Sequence, residues 1–75
     1  MPNLVKKLRL EYNLTQEELA EKVNVSSRTI ISIEKGKYKP SLVLAYKLAR
    51  IFKLSVEELF CLQDYLGEEN EEETN

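Results

Sequence analysis

The sequence predicts an all-α protein, a compact bundle of five short helices. Apolar residues recur at three- and four-residue spacing along most of the chain, which is typical of amphipathic helices. In addition, a Ser or Thr is twice followed, three residues later, by a Glu, a pattern that caps helix N-termini. The length of 75 residues suits one domain with a modest core. The one competing pattern is a short extended segment near Leu62 to Leu66.

Helices 1, 4 and 5 follow from these signals. Helix 1 has an inward stripe that begins at Leu4, with Asn3 as its N-cap. Helix 4 begins after Ser41 and helix 5 after Ser55, and each serine is an N-cap. The inward residues of helix 5 are Leu59 and Phe60, and the apolar residues that recur at helical spacing in helix 4 are Leu42, Ala45, Leu48, Ala49 and Phe52.

Two further short helices, joined by a tight turn, are predicted between Thr15 and Gly36. Thr15 opens helix 2 with a capping box. Asn24 ends helix 2, because Asn tolerates the left-handed conformation that is common at helix ends. Either Ser26 or Ser27 caps helix 3, and Gly36 ends it.

Helix 3 has a small, polar outward face opposite the inward residues Ile30 and Ile33. That face consists of Ser27, Arg28, Ile31 and Ser32, which form two stripes of residues four apart. Arginine can donate two hydrogen bonds to guanine, and serine is short enough to let a helix approach base edges. Such a face indicates a helix that reads the major groove of DNA. The alternative is a solvated polar face, as on any amphipathic helix, and the pattern alone leaves both open.

A set of sequence motifs between Leu4 and Phe60 favours the DNA-reading interpretation over a merely solvated face. Its parts are Leu8-Arg9, Leu14-Thr15-Gln16-Glu17-Glu18-Leu19-Ala20, Ser27-Arg28-Thr29-Ile30, Ile33-Glu34-Lys35-Gly36, Pro40-Ser41-Leu42 and Ser55-Val56-Glu57-Glu58-Leu59-Phe60. With these residues the chain resembles the lambda-repressor-like helix-turn-helix family, also called the Cro or XRE type. The resemblance implies a five-helix DNA-binding domain, with the helix-turn-helix at helices 2 and 3. Asn24 departs from the family, where Gly is common, and Ile31 stands where relatives often have a polar residue.

The resemblance also implies roles for individual residues. Ser27, Arg28 and Ser32 match the positions that read bases. The positions that meet the DNA backbone or the groove edge are Gln16, Ser26, Thr29, Lys35, Lys37 and Lys39. Arg9 and Glu34 match a structural ion pair between helices 1 and 3. If buried, this pair is costly to break, and if exposed, it contributes little.

Charge is distributed very unevenly along the chain, although the total is only -2. Residues 1–56 contain all 11 Lys and Arg and five acids, a balance of 11 − 5 = +6. Residues 57–75 contain the other eight acids and no base, a balance of −8. The basic part can neutralise phosphates and gain affinity by counterion release, although most of its lysines can equally serve solubility.

The C-terminal part of the chain predicts a dimer. Beyond Phe60, where the family's conserved body ends, Leu62, Tyr65 and Leu66 continue an apolar stripe that begins at Leu59. We expect residues 1–66 to be a DNA-binding domain with a dimerisation extension; the alternative is that this stripe folds back on its own domain. A two-fold dimer would read a palindrome, with its recognition helices about 34 Å apart. Residues 67–75 are expected to be a disordered acidic tail, either solubilising or competing with DNA for the basic face.

These observations together predict a dimeric repressor that binds double-stranded DNA sequence-specifically. The alternative is an antitoxin or another protein-binding module on the same fold. An enzyme is not expected, because the chain has no His, no phosphate-binding glycine loop and no cluster of metal ligands. We therefore predict no catalytic residues, metal, cofactor or small-molecule ligand. The chain has no long apolar run and no secretion signal, which predicts a cytoplasmic protein without a membrane span.

Overall fold

Five α-helices account for most of residues 1–65, the part of the chain that the computed structural model describes. They are α1 (Val5–Glu11), α2 (Gln16–Lys22), α3 (Ser27–Glu34), α4 (Leu42–Phe52) and α5 (Val56–Leu59). A further helical stretch, residues 62–65, lies at the end of the described part. The predicted all-α fold is thus confirmed, with one helical stretch more than the five predicted. None of these helices is long and apolar enough to cross a membrane. Leu66 and the predicted acidic tail, residues 67–75, lie outside the described residues.

Side-chain caps begin four of the five helices, as the sequence predicts. Thr15 and Ser55 form complete capping boxes with the Glu three residues later, at the starts of α2 and α5. Ser26 caps α3, because its Oγ accepts from the backbone N–H of Thr29 at 3.3 Å. Ser41 caps α4 in the same way. Each cap satisfies a backbone N–H group that has no partner within its own helix.

Asn3, the predicted N-cap of α1, lies one residue before the N-cap position. Leu4 occupies the N-cap position and makes no side-chain cap. Instead, Oδ1 of Asn3 accepts from the backbone N–H of Val5 at 3.0 Å. The side-chain amide of Asn3 also donates to the carbonyl oxygen of Ile33 at 2.8 Å. One side chain thus satisfies the start of α1 and the last turn of α3 together.

Residues with positive φ end several helices. Asn24 has φ 59°, which places the left-handed residue in the turn between α2 and α3, as the sequence predicts. Gly36 has φ 74° just after α3, and a Cβ there would lie 3.1 Å from the carbonyl oxygen of Met1. Cys61 has φ 51° after α5, so the chain turns before residues 62–65, which are helical. The expected extended segment near Leu62 is therefore wrong.

The core lies between all five helices. Its fully buried large side chains are Phe60, Leu19, Ile30, Ile33, Leu48, Leu59 and Val5. Leu59 is 0% exposed, so its assignment to a dimer surface is wrong: its side chain is enclosed by its own domain. Leu62 is half-buried and packs against the same core. Two residues of the predicted stripe, Leu59 and Leu62, thus pack against their own domain.

Candidate nucleic-acid interface

Helix α3 is held against the core by one side and faces solvent with the other. Ile30 and Ile33 are 0% exposed, whereas Arg28 is exposed and Ser32 is half-exposed. Because α2 packs closely on α3, the rotation of α3 about its axis is fixed by burial of the two isoleucines. The polar side of α3 is therefore presented outward in one orientation.

A shallow depression of about 260 Å³ lies along this outward side. Its lining residues are Ser26, Arg28, Thr29, Ser32 and Tyr38. Two predicted base-reading residues, Arg28 and Ser32, therefore lie together with two predicted groove-edge residues. At the rim, the hydroxyls of Ser26 and Thr29 are 3.2 Å apart and hydrogen-bonded.

Ser27 lies apart from this depression, although the sequence groups it with Arg28 and Ser32. It lines a second depression with residues of α2 and the turn, among them Glu17 and Asn24. Successive helical residues are rotated by about 100° from one another, which carries Ser27 toward α2. Ile31, next to Ser27 on the wheel, is half-buried. The outward face of α3 is thus divided between two depressions.

Tyr38 is the member of this surface that sequence reasoning missed. It lies in the loop between α3 and α4 and is 44% exposed. The sequence does contain a signal, because this tyrosine stands between Lys37 and Lys39, shortly after α3. Its position against Arg28 and Ser32, however, depends on how the loop folds back after Gly36.

Arg9 and Glu34 form an ion pair beneath the polar surface. Nε of Arg9 lies 2.6 Å from Oε2 of Glu34, and the two side chains are 8% and 4% exposed. A second bond joins Nη2 of Arg9 to Oε1 of Glu34 at 3.2 Å. Nη1 of Arg9 donates to the carbonyl oxygen of Leu14 at 2.9 Å. The pair therefore connects α1, the loop before α2, and the C-terminal end of α3.

The side chain of Gln16 is hydrogen-bonded to this ion pair. Its Nε2 donates to Oε1 of Glu34 at 3.0 Å, and its side chain is half-buried at the start of α2. A glutamine amide has two N–H donors, so one remains after this bond. The ion pair thus orients an amide group at the N-terminus of α2, where the helix dipole and free N–H groups favour anions.

Three exposed lysines, Lys35, Lys37 and Lys39, follow α3 in the sequence. Within residues 1–65 none of them pairs with a carboxylate. The ammonium of Lys39 lies 5.6 Å from the centre of the Tyr65 ring, a cation–π contact. Tyr65 is half-buried, so this predicted dimer residue also contacts its own domain. Among residues 1–65, Lys35 and Lys37 therefore have no charged partner, and Lys39 contacts only an aromatic ring.

This arrangement defines a class of protein. Two helices joined by a tight turn, a fixed second helix with a polar outward side, and exposed lysines next to it are the geometry of a helix-turn-helix DNA-binding domain. A family model described as helix-turn-helix matches residues 5–59. The chain belongs to the lambda-repressor-like, XRE-type helix-turn-helix family of transcriptional regulators, as the sequence resemblance implies.

Several proteins are similar in sequence to this chain over most of its length. An uncharacterised HTH-type transcriptional regulator of Methanocaldococcus jannaschii is 53% identical over 64 residues, covering 85% of this chain and 97% of the relative. One from Archaeoglobus fulgidus is 52% identical over 64 residues, covering 85% and 91%. The cryptic phage CTXphi transcriptional repressor RstR of Vibrio cholerae is 36% identical over 55 residues, covering 73% of this chain and half of that protein.

A solved structure has the same helical fold. The clp gene regulator ClgR of Corynebacterium glutamicum matches with a TM-score of 0.64 and 27% identity, over 69% of this chain. The matched part is 55% of the ClgR chain, so this chain corresponds to about half of that regulator.

Proposed function

We propose that the protein binds double-stranded DNA sequence-specifically and acts as a transcriptional repressor, with α3 in the major groove. The observation that carries this proposal is the exposed Arg28 on a helix whose opposite side, at Ile30 and Ile33, is fully buried. A guanidinium held in this way can donate two hydrogen bonds to guanine O6 and N7. Ser32 and Ser27 are short polar neighbours that permit close approach of α3 to base edges.

Contacts to the DNA backbone surround this reading surface in the proposal. The exposed Lys35, Lys37 and Lys39 would neutralise phosphates on one side of α3. Ser26 and Thr29, at the N-terminal end of α3, and the remaining N–H of Gln16 would donate to phosphates on the other. These contacts would set the register of α3 along the duplex without specifying the sequence.

We further propose that two copies bind a palindromic operator, through a dimer surface that keeps Leu62 from the predicted stripe but extends to α4 instead of Leu59. An apolar groove of about 260 Å³ is lined by Met1, Pro40, Leu42, Ala45, Val56, Phe60 and Leu62. Leu42 is 79% exposed and lines this groove, so its side chain is part of a contiguous apolar patch that a second copy would cover. Pro40 lines the groove and Tyr38 lines the depression beside α3, so a second copy here would present its own α3 close to the same DNA face.

The names of two relatives support repression as the sign of regulation. RstR is named a transcriptional repressor. A second relative, 34% identical over 68 residues, is named the immunity repressor protein of Bacillus phage phi105, and the match spans 47% of that protein. We extend this sign of regulation to the present chain as part of the proposal.

Fluorescence anisotropy with DNA from upstream of the protein's own gene tests the proposal, with a random duplex of equal length as control. Arg28→Ala should cost about 1–3 kcal/mol of binding to the upstream duplex and remove its preference over the random one. Arg50→Ala is the matched control, because Arg50 is an equally exposed arginine on α4 that contacts Tyr46 instead. Equal, weak binding to both duplexes that is indifferent to Arg28 would contradict the proposal and favour the protein-binding module.

A further inference from the structure

Tyr38 differs from the other three tyrosines of the chain in its contacts. The ring of Tyr12 packs edge-on against Phe52 at 5.2 Å, and its hydroxyl donates to the Phe52 carbonyl oxygen at 3.4 Å. Tyr46 lies beneath Arg50, and Tyr65 lies beneath Lys39. Within residues 1–65, the side chain of Tyr38 has no aromatic, cation–π or hydrogen-bond partner. Tyr38 is 44% exposed, so its side chain is open to a partner from outside these residues.

The backbone around Tyr38 is nevertheless well defined. The N–H of Gly36 donates to the carbonyl oxygen of Ile33 at 2.9 Å, and the N–H of Lys37 donates to that of Ser32 at 3.1 Å. These two bonds satisfy the last carbonyls of α3 and hold the chain in a tight turn around Gly36. Tyr38 follows directly, so these bonds set the course of the backbone that leads to it, and its side chain lines the depression with Arg28 and Ser32.

The chemistry of this position suits a phosphate. A phenol hydroxyl is a hydrogen-bond donor, and tyrosine is among the residues that donate to DNA phosphates. Lys37 and Lys39 flank Tyr38 in the sequence, and both are exposed. Their charges favour the approach of the DNA backbone to this loop, while Arg28, in the same depression, would face the bases in the proposed complex.

We propose that Tyr38 is a DNA contact of this protein: its hydroxyl donates to a phosphate oxygen at the edge of the major groove, and its ring covers the adjacent deoxyribose beside Arg28. This inference rests on the proposed DNA-binding function and adds a residue to it. Because the contact is to the backbone, Tyr38 contributes equally to binding of the operator and of random DNA. Arg28, by contrast, contributes mainly to the difference between them.

Anisotropy titrations of the full chain test the inference with Tyr38→Phe, which removes only the hydroxyl. We expect affinity for the upstream duplex and for the random duplex to fall by the same factor, about tenfold for one hydrogen bond to a charged acceptor. The dependence of affinity on salt should stay unchanged, because no charge is removed, whereas Lys37→Ala should reduce its slope by about one. Tyr46→Phe, at an exposed tyrosine on α4, is the matched control and should bind as the wild type does.

Three results would overturn the inference. If Tyr38→Phe binds both duplexes like the wild type while Arg28→Ala still loses preference, Tyr38 is no contact and the proposed function stands. If Tyr38→Phe weakens only the upstream duplex, the hydroxyl reads a base instead of a phosphate. If the wild-type protein binds neither duplex, the inference and the proposed function fail together. Circular dichroism melts of both tyrosine variants should match the wild type, because neither hydroxyl has a hydrogen-bond partner in residues 1–65.

Discussion

The guanidinium of Arg9 and the carboxylate of Glu34 lie 2.6 Å apart, and less than a tenth of either side chain is exposed. Every hydrogen-bonding atom in the buried side chains of residues 1–65 has a partner, so the charges of this pair are fully compensated. Glu34 is the last residue of α3, and it accepts from Arg9 and Gln16 at once. The pair therefore connects the orientation of the recognition helix to both helices that precede it.

Removal of Glu34 should destabilise the domain strongly. Glu34→Ala leaves the guanidinium of Arg9 buried without its counter-charge, and we expect the free energy of unfolding to fall by about 3–5 kcal/mol. Urea denaturation of the variant and the wild type measures the difference. Glu21→Ala, at an exposed carboxylate on α2, is the control and should change stability by less than about 0.5 kcal/mol. A small shift for Glu34→Ala would contradict a buried, energetically coupled pair.

The capping box of α5 should make stability depend on acid pH. The backbone N–H of Ser55 donates to the carboxylate of Glu58, and together with the Ser55 side chain it lowers the pKa of Glu58. A carboxyl group whose pKa is lowered by folding stabilises the protein above its unfolded pKa, and this contribution is lost as pH falls through the folded value. Glu58→Gln should therefore be less stable than the wild type near neutral pH, and the gap should close on acidification.

Thermal melts at a series of pH values measure this gap. Glu57→Gln is the matched control, because Glu57 is an exposed neighbour on α5 whose carboxylate accepts no hydrogen bond from residues 1–65. Parallel curves for Glu58→Gln and the wild type across the acid range would show that the capping carboxylate does not contribute.

The proposed dimer surface should be sensitive to charge at Leu42. Leu42→Glu places a carboxylate at the rim of the apolar groove, and burial of an unpaired charge between two copies is costly. We expect this variant to sediment as a monomer and to lose affinity for a palindromic duplex. Val43→Glu is the control, since Val43 is 63% exposed but lines a different depression, beside Tyr46. A wild-type chain that sediments as a monomer at micromolar concentration, free of DNA, would count against the dimer.

The acidic segment that follows the described residues should weaken non-specific DNA binding. Residues 67–75 contain five Glu and no base, and this segment begins two residues beyond Tyr65, whose ring lies beneath Lys39. Deletion of residues 67–75 should raise affinity for random DNA, most at low salt, where exposed charges are least screened. Replacement of the five Glu by Gln should have the same effect as deletion. Equal affinity for all three chains would leave a solubilising role alone.

Local signals in the sequence were sufficient for most helix boundaries. The capping boxes at Thr15 and Ser55, the left-handed Asn24 and the terminating Gly36 depend on bonds between residues a few positions apart. The inward side of α3 was equally predictable, because Ile30 and Ile33 share one face of the helix, and Ile31 is the one apolar residue on the opposite face. Asn3 lies one residue before the N-cap position that the sequence predicts for it. There its amide also donates to the carbonyl oxygen of Ile33, thirty residues away, a contact that local signals do not indicate.

The sequence by itself therefore determined the helices, their caps, the family and the buried side of the recognition helix. Only the tertiary structure decided that Leu59 is enclosed, that Ser27 turns toward α2, and that Tyr38 lies beside Arg28. It also decided that Gln16 bonds Glu34. The physical reason is range: caps and periodicity act within one or two helical turns, whereas burial and shared surfaces arise where distant segments pack together.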